Sequence, residues 1–152
     1  MTYEELLDKV REEKIDLYTN YIGNFKGLYI DDTITLNTNL ENDAEKKCVL
    51  AEELGHHYKT CGDILDQSKI ENKKQERIAR GWAYDNMIGI IGLINAYKNG
   101  CKNKYEISEY LNVSEQFLKD AIAYYSEKYG PFYQIDNYAI YFDPLSVIEI
   151  WE

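Results

Sequence analysis

Residues 50–58 read Leu50-Ala51-Glu52-Glu53-Leu54-Gly55-His56-His57-Tyr58, and the rest of the chain is best understood outward from them. On a helix, Glu52 and His56 are four residues apart, share one face and reach a common ion. Glu53 is turned far enough from them to meet a water held by that ion. This is the geometry of the HExxH zinc helix, with Glu where the first His would stand. An ion held this way acidifies its water, and a neighbouring carboxylate can take the proton as the oxygen attacks a carbonyl, so peptide hydrolysis is the reaction the pattern suits. A second register, pairing Glu53 with His57, puts Leu54 where the base must be and fails on mechanism. His57 is therefore expected beside the site or at the core edge rather than on the ion.

Such a helix needs a third ligand from another element. Glu76 stands twenty residues after His56 on the next helix-prone run, with Ala79 one turn on and Trp82-Ala83 continuing the same face. A small residue at 79 lets the two helices approach closely. The candidate metal ligands are thus Glu52, His56 and Glu76, with Glu53 as general base. One imidazole and two carboxylates form a harder set than His-His-Glu, so zinc is expected to compete with manganese or another divalent ion.

Composition narrows the setting. The chain has 152 residues, 45% of them hydrophobic and 29% charged, with 2 prolines, the profile of one soluble globular domain. A chain of this size buries about 70% of its unfolded surface without structural staples, so a metal would be present for chemistry. The net charge of −10 disfavours a grip on nucleic-acid phosphates. Cys48, Cys61 and Cys101 follow no CxxC spacing and read as reduced thiols of a cytoplasmic protein. No secretory signal is expected, and the most apolar stretch, Met87 to Ala96, is far below the roughly 20 residues a membrane span needs. The 15 tyrosines are read as amphipathic core edge.

Periodicity places the remaining elements. Leu6, Leu7 and Val10 predict a helix over Thr2–Glu13 capped by Thr2, with Glu5 three residues on. The run GLYIDDTITLN, residues 27–37, reads as a hairpin about Asp31-Asp32-Thr33. Asn42 or Asp43 caps the helix that carries the motif. A long helical run, Ser68 to Tyr97, starts polar and turns apolar from Trp82, with Gly89 and Gly92 as points of bending or splitting. Tyr105 to Tyr129 gives two short helices with Ser114 as N-cap, resembling a helix-turn-helix. Phe132 to Phe142 forms a terminal hairpin about Asp136-Asn137. From Lys102 to Lys128 the helix-turn-helix-like segment holds four Lys and five acidic residues, so a protein-binding or structural role is expected of it rather than DNA reading.

Taken together, LAEELGHHY, the downstream ExxAxxWA (Glu76, Ala79, Trp82, Ala83), the preceding hairpin and the C-terminal helix-turn-helix-like segment resemble the ImmA/IrrE family of zinc-dependent metallopeptidases over nearly the whole chain. The family's second metal-binding His falls on His56, its catalytic Glu on Glu53 and its third ligand on Glu76; the departure is Glu52. The resemblance implies an α+β fold. That fold is a mainly helical zincin-like metallopeptidase domain with a small N-terminal β-hairpin or sheet and a C-terminal helix-turn-helix-like segment with terminal hairpin. It implies one domain over 1–152, with a metal-site core over 1–100 and the helix-turn-helix-like part over 101–152. It also implies an endopeptidase of a phage or mobile element that cleaves a helix-turn-helix repressor. In that mechanism an extended substrate strand is expected to pair with the hairpin edge near Ile34 to Asn37. The competing expectation is a non-catalytic regulator that binds a partner through a degenerate metal site. A third is a DNA-binding transcription factor, which the acidic charge opposes.

Overall fold

The computed structural model describes residues 1–59 and 70–151, with the side chains of 70–72 left aside. The expected connection through Cys61 and Gly62, and a helix start at Ser68, lie outside the described residues. The described chain forms two compact units, Met1–Met87 and Ile88–Glu152. The helix Gly89–Lys98 falls in the second unit.

The first unit contains α1 (Tyr3–Glu12), β1 (Asp16–Asn20), β2 (Gly27–Ile30), β3 (Thr33–Asn37), α2 (Asp43–Lys59) and α3 (Ile70–Met87). Thr2 caps α1, its hydroxyl accepting from the Glu5 amide at 3.1 Å. Asn42 caps α2 in the same way, through the Glu45 amide at 2.9 Å. Asp31 and Asp32 both have positive φ, 48° and 57°, the two-residue turn whose twist suits a tight hairpin. The hairpin is not the whole sheet. Its strand order is β1-β3-β2, with β1 parallel and β2 antiparallel to β3. The strand over 33–37 is therefore central and paired on both sides, which corrects the expectation that a substrate pairs near Ile34 to Asn37. The edges belong to β1 and β2. Leu6, Val10, Ile34, Leu36, Val49, Leu50, Leu54 and Ala83 are buried in this unit, each large aliphatic side chain contributing about 1.5–3 kcal/mol.

The second unit comprises α4 (Gly89–Lys98), α5 (Lys104–Leu111), α6 (Glu115–Tyr129), β4 (Phe132–Ile135), β5 (Tyr138–Phe142) and β6 (Leu145–Glu149). The long helical run is broken at Gly89, whose φ of +65° leaves the helical region. Asn103 and Ser114 cap α5 and α6 through the Glu106 and Phe117 amides. The expected terminal hairpin is an antiparallel meander of three strands, β4-β5-β6, because Leu145–Glu149 folds back on β5. Leu93, Leu118, Ile122, Tyr125 and Ile140 are among its buried side chains. The fold class is α+β. No helix among the described residues is long and apolar enough to cross a membrane.

Candidate active site

Two close approaches bring the functional side chains together. At Gly55 on α2, a Cβ would stand 2.2 Å from the Ala79 carbonyl oxygen, so only glycine permits α3 to lie this near. One turn further on, Tyr58 of α2 stacks on Trp82 of α3 with ring centroids 5.1 Å apart. Ala79 and Ala83, both fully buried, complete the contact face of α3. Glu76 lies one turn before Ala79 and so faces α2 at the level of His56.

There the imidazole and the carboxylate meet: His56 Nε2 is 3.1 Å from Glu76 Oε2, both side chains largely buried. The other Glu76 oxygen, Oε1, is 3.2 Å from Nε of Arg80, one turn along α3 and half exposed. A single carboxylate thus bridges imidazole and guanidinium. Glu52, one turn before His56 on α2, is half-buried, and Glu53 is buried.

The second close approach lies over Glu53. A Cβ on Gly27 would be 2.7 Å from Val49 Cγ1 and 3.1 Å from Glu53 Oε1, so β2 rests directly on the general-base candidate. Strand β2 is an edge of the sheet.

The electrostatics follow from this crowding. Burial pushes the Glu53 carboxyl up to about 8, with Glu52 and Glu76 adding to the rise and His56 and Arg80 opposing it. Burial likewise pushes Glu52 up to about 7, opposed first by Arg80. For His56, burial works downward but is outweighed by the Glu76 hydrogen bond and the surrounding carboxylates, leaving the imidazole raised. Glu76 moves the opposite way: burial would raise it, but His56 and Arg80 hold it below the ordinary carboxylate value.

His57 points elsewhere. Its Nδ1 is 2.8 Å from the Tyr29 hydroxyl and its Nε2 3.1 Å from Glu13 Oε2, while Tyr29 also donates to Asp32 at 3.0 Å. His57 therefore ties α2 to the hairpin and to the end of α1. In this arrangement it is not directed at Glu53.

Three carboxyl groups and one imidazole cluster where α2 meets α3, their oxygens and imidazole nitrogen are suitable donors for a divalent cation, and its charge would favour the ionised carboxylates. In charge and donor chemistry the residues fit such an ion. Among the described residues no three His, Cys, Asp or Glu donors surround one point as they stand. His56 and Glu76 are the adjacent pair, and Glu52 lies one turn before His56 on the same helix. The sequence pattern singled out Glu52, Glu53, His56 and Glu76 but not Arg80 or Gly27. The Glu76/Arg80 spacing of four was the available signal for the first; for Gly27 only a glycine opening a strand marked the spot.

No curated protein matches the chain. The family model described as the IrrE N-terminal-like domain, peptidase M78, matches residues 8–122. That span includes β2, both helices of the site and α5, and ends within α6, before the C-terminal meander. With three quarters of its length so matched, the chain belongs to the IrrE N-terminal-like, or ImmA/IrrE, family of metallopeptidases.

Proposed function

We propose that the protein is a cytoplasmic metal-dependent endopeptidase that cleaves a partner protein, a helix-turn-helix repressor of a phage or mobile element. The observation that carries this reading is the meeting of His56 Nε2 and Glu76 Oε2 at 3.1 Å across α2 and α3, beside buried Glu53, in a chain of a metallopeptidase family. Glu52, His56 and Glu76 would hold the ion. A bound divalent ion, zinc or with this carboxylate-rich set manganese, supplies the Lewis acidity the hydrolysis needs.

The chain's own groups do the rest. Glu53 takes the proton of the attacking water and returns it to the leaving amine nitrogen. Burial raises this carboxyl in the metal-free chain, and the positive charge of a bound ion would favour its ionised, proton-accepting form. Arg80 keeps Glu76 oriented. An extended substrate segment adds to the outer edge of β2, where Gly27 lies over Glu53, and main-chain hydrogen bonds hold it in register. The charge of −10 supports a basic protein as partner over a nucleic acid.

A non-catalytic regulator is the second reading, favoured by the His56–Glu76 pair, which satisfies both groups without an ion. The two separate on one experiment. The metal-loaded chain is incubated with the helix-turn-helix repressor encoded beside it, and products are read by mass spectrometry. Endopeptidase action gives one defined cleavage, absent with Glu53→Gln at unchanged metal content. Equal cleavage by Glu53→Gln refutes the assignment of the base, and tight binding without any cleavage favours the regulator.

A further inference from the structure

Glu52 gives this site a carboxylate where the HExxH pattern has a neutral imidazole, and that substitution has an electrostatic consequence. For Glu52 and Glu76 to reach one ion, two negative groups on neighbouring helices must approach each other, with Glu53 a third close by. In a half-buried cleft their repulsion is only partly screened by water. Arg80 is bonded to one of these carboxylates, through Nε to Glu76 Oε1 at 3.2 Å. The same guanidinium acts attractively on both Glu52 and Glu53. It sits at the half-exposed rim of the cleft, so it loses little hydration in taking this position.

We infer that Arg80 is a positioning residue that offsets the extra carboxylate at position 52, holding Glu76 aimed at His56 so that Glu52 and Glu76 can share one cation. This rests on the metal-site reading above and goes beyond it by assigning a role to a residue that is not itself a ligand. Arg80 also repels a cation. A guanidinium already hydrogen-bonded to a carboxylate presents a largely neutralised pair to the ion, however, so the loss of orientation outweighs the relief of repulsion.

The dependence on residue 52 makes the inference testable by a double-mutant cycle with metal affinity as the readout. Zn²⁺ and Mn²⁺ affinities are measured by competition with a chromophoric chelator for the full chain and for Arg80→Met, Glu52→His and Glu52→His/Arg80→Met. Thermal melts check that each variant is folded. The expected result is at least a tenfold loss of affinity on Arg80→Met with Glu52 present, less than threefold with His at 52, and partial recovery with Arg80→Lys. Equal losses in both backgrounds, or a gain of affinity on Arg80→Met, would overturn the role of Arg80. His56→Ala and Glu76→Ala serve as the separate control: if neither weakens binding, the metal site itself is wrong, whereas if both do and Arg80→Met does not, only this inference fails.

Discussion

Replacing Gly55 with alanine tests how closely α2 and α3 must pack for the site to exist. The added Cβ would start 2.2 Å from the Ala79 carbonyl oxygen and 2.9 Å from its carbon, both backbone atoms that cannot rotate away. Restoring an ordinary contact of at least 3.4 Å requires α3 to retreat by about 1.2 Å. A shift of that size carries Glu76 from 3.1 Å to roughly 4 Å from His56, beyond hydrogen-bond range. Overpacking of this kind costs about 1–3 kcal/mol, a fall of several degrees in melting temperature for a chain of this length. A misplacement of about 1 Å at a reacting centre costs on the order of 100-fold in rate. The assay pairs thermal melts with divalent-metal affinity. Gly55→Ala should melt lower and bind metal at least tenfold more weakly, and adding Ala79→Gly should not rescue it, because the collision is with the carbonyl and not with the methyl. A Gly55→Ala protein that melts and binds metal like the native chain would refute the reasoning.

Other consequences follow from the same geometry. Gly27→Ala would lift β2 from Val49 and Glu53 and should cost about 1–3 kcal/mol in a urea melt, with partial recovery on Val49→Ala, since the Val49 methyl is the nearest obstacle. His57→Ala loses the partners Tyr29 and Glu13 and should destabilise by about 1–3 kcal/mol while leaving metal stoichiometry unchanged in equilibrium dialysis; a loss of metal would place His57 in the site after all. Folded-state carboxyl values of about 7 for Glu52 and about 8 for Glu53 lie above the ordinary 4.5. Their contribution to stability is therefore fully present below about pH 4.5 and is lost as pH rises through 7 to 8. Raised His56 acts in the same direction. The metal-free chain should accordingly melt lower at pH 9 than at pH 6, and Glu53→Gln should flatten that slope; a melting temperature that climbs over this interval contradicts the burial of these carboxyls.

Much of this was legible because it is local. Thr2, Asn42 and Ser114 announce helix starts through side-chain oxygens that cap the next turn, and Asp31-Asp32 tolerate the positive φ of a tight hairpin. The four-residue spacing of Glu52 and His56, with Gly55 and Ala79 small, is likewise a pattern within one or two helical turns. What escaped was set by partners far along the chain. Strand β1 is mostly exposed and lacks an apolar alternation, and its parallel pairing with Thr33–Asn37 makes β3 central. That leaves the open sheet edges to β1 and β2. Strand β6 has an apolar run that a sequence shows equally well as a tail or a strand, and only pairing with β5 decides it. Arg80 lay in plain view four residues from Glu76, but its bearing on Glu52 required α2 and α3 to be side by side.

The most direct measurement is metal stoichiometry by equilibrium dialysis and elemental analysis on chain prepared without a histidine tag, for the native protein, His56→Ala and Glu76→Ala. One divalent ion per native chain, lost from both variants, is the expected result. Stoichiometric binding that survives both substitutions, or no binding by the native chain at any divalent-metal concentration below its precipitation, would contradict a metal centre shared by α2 and α3.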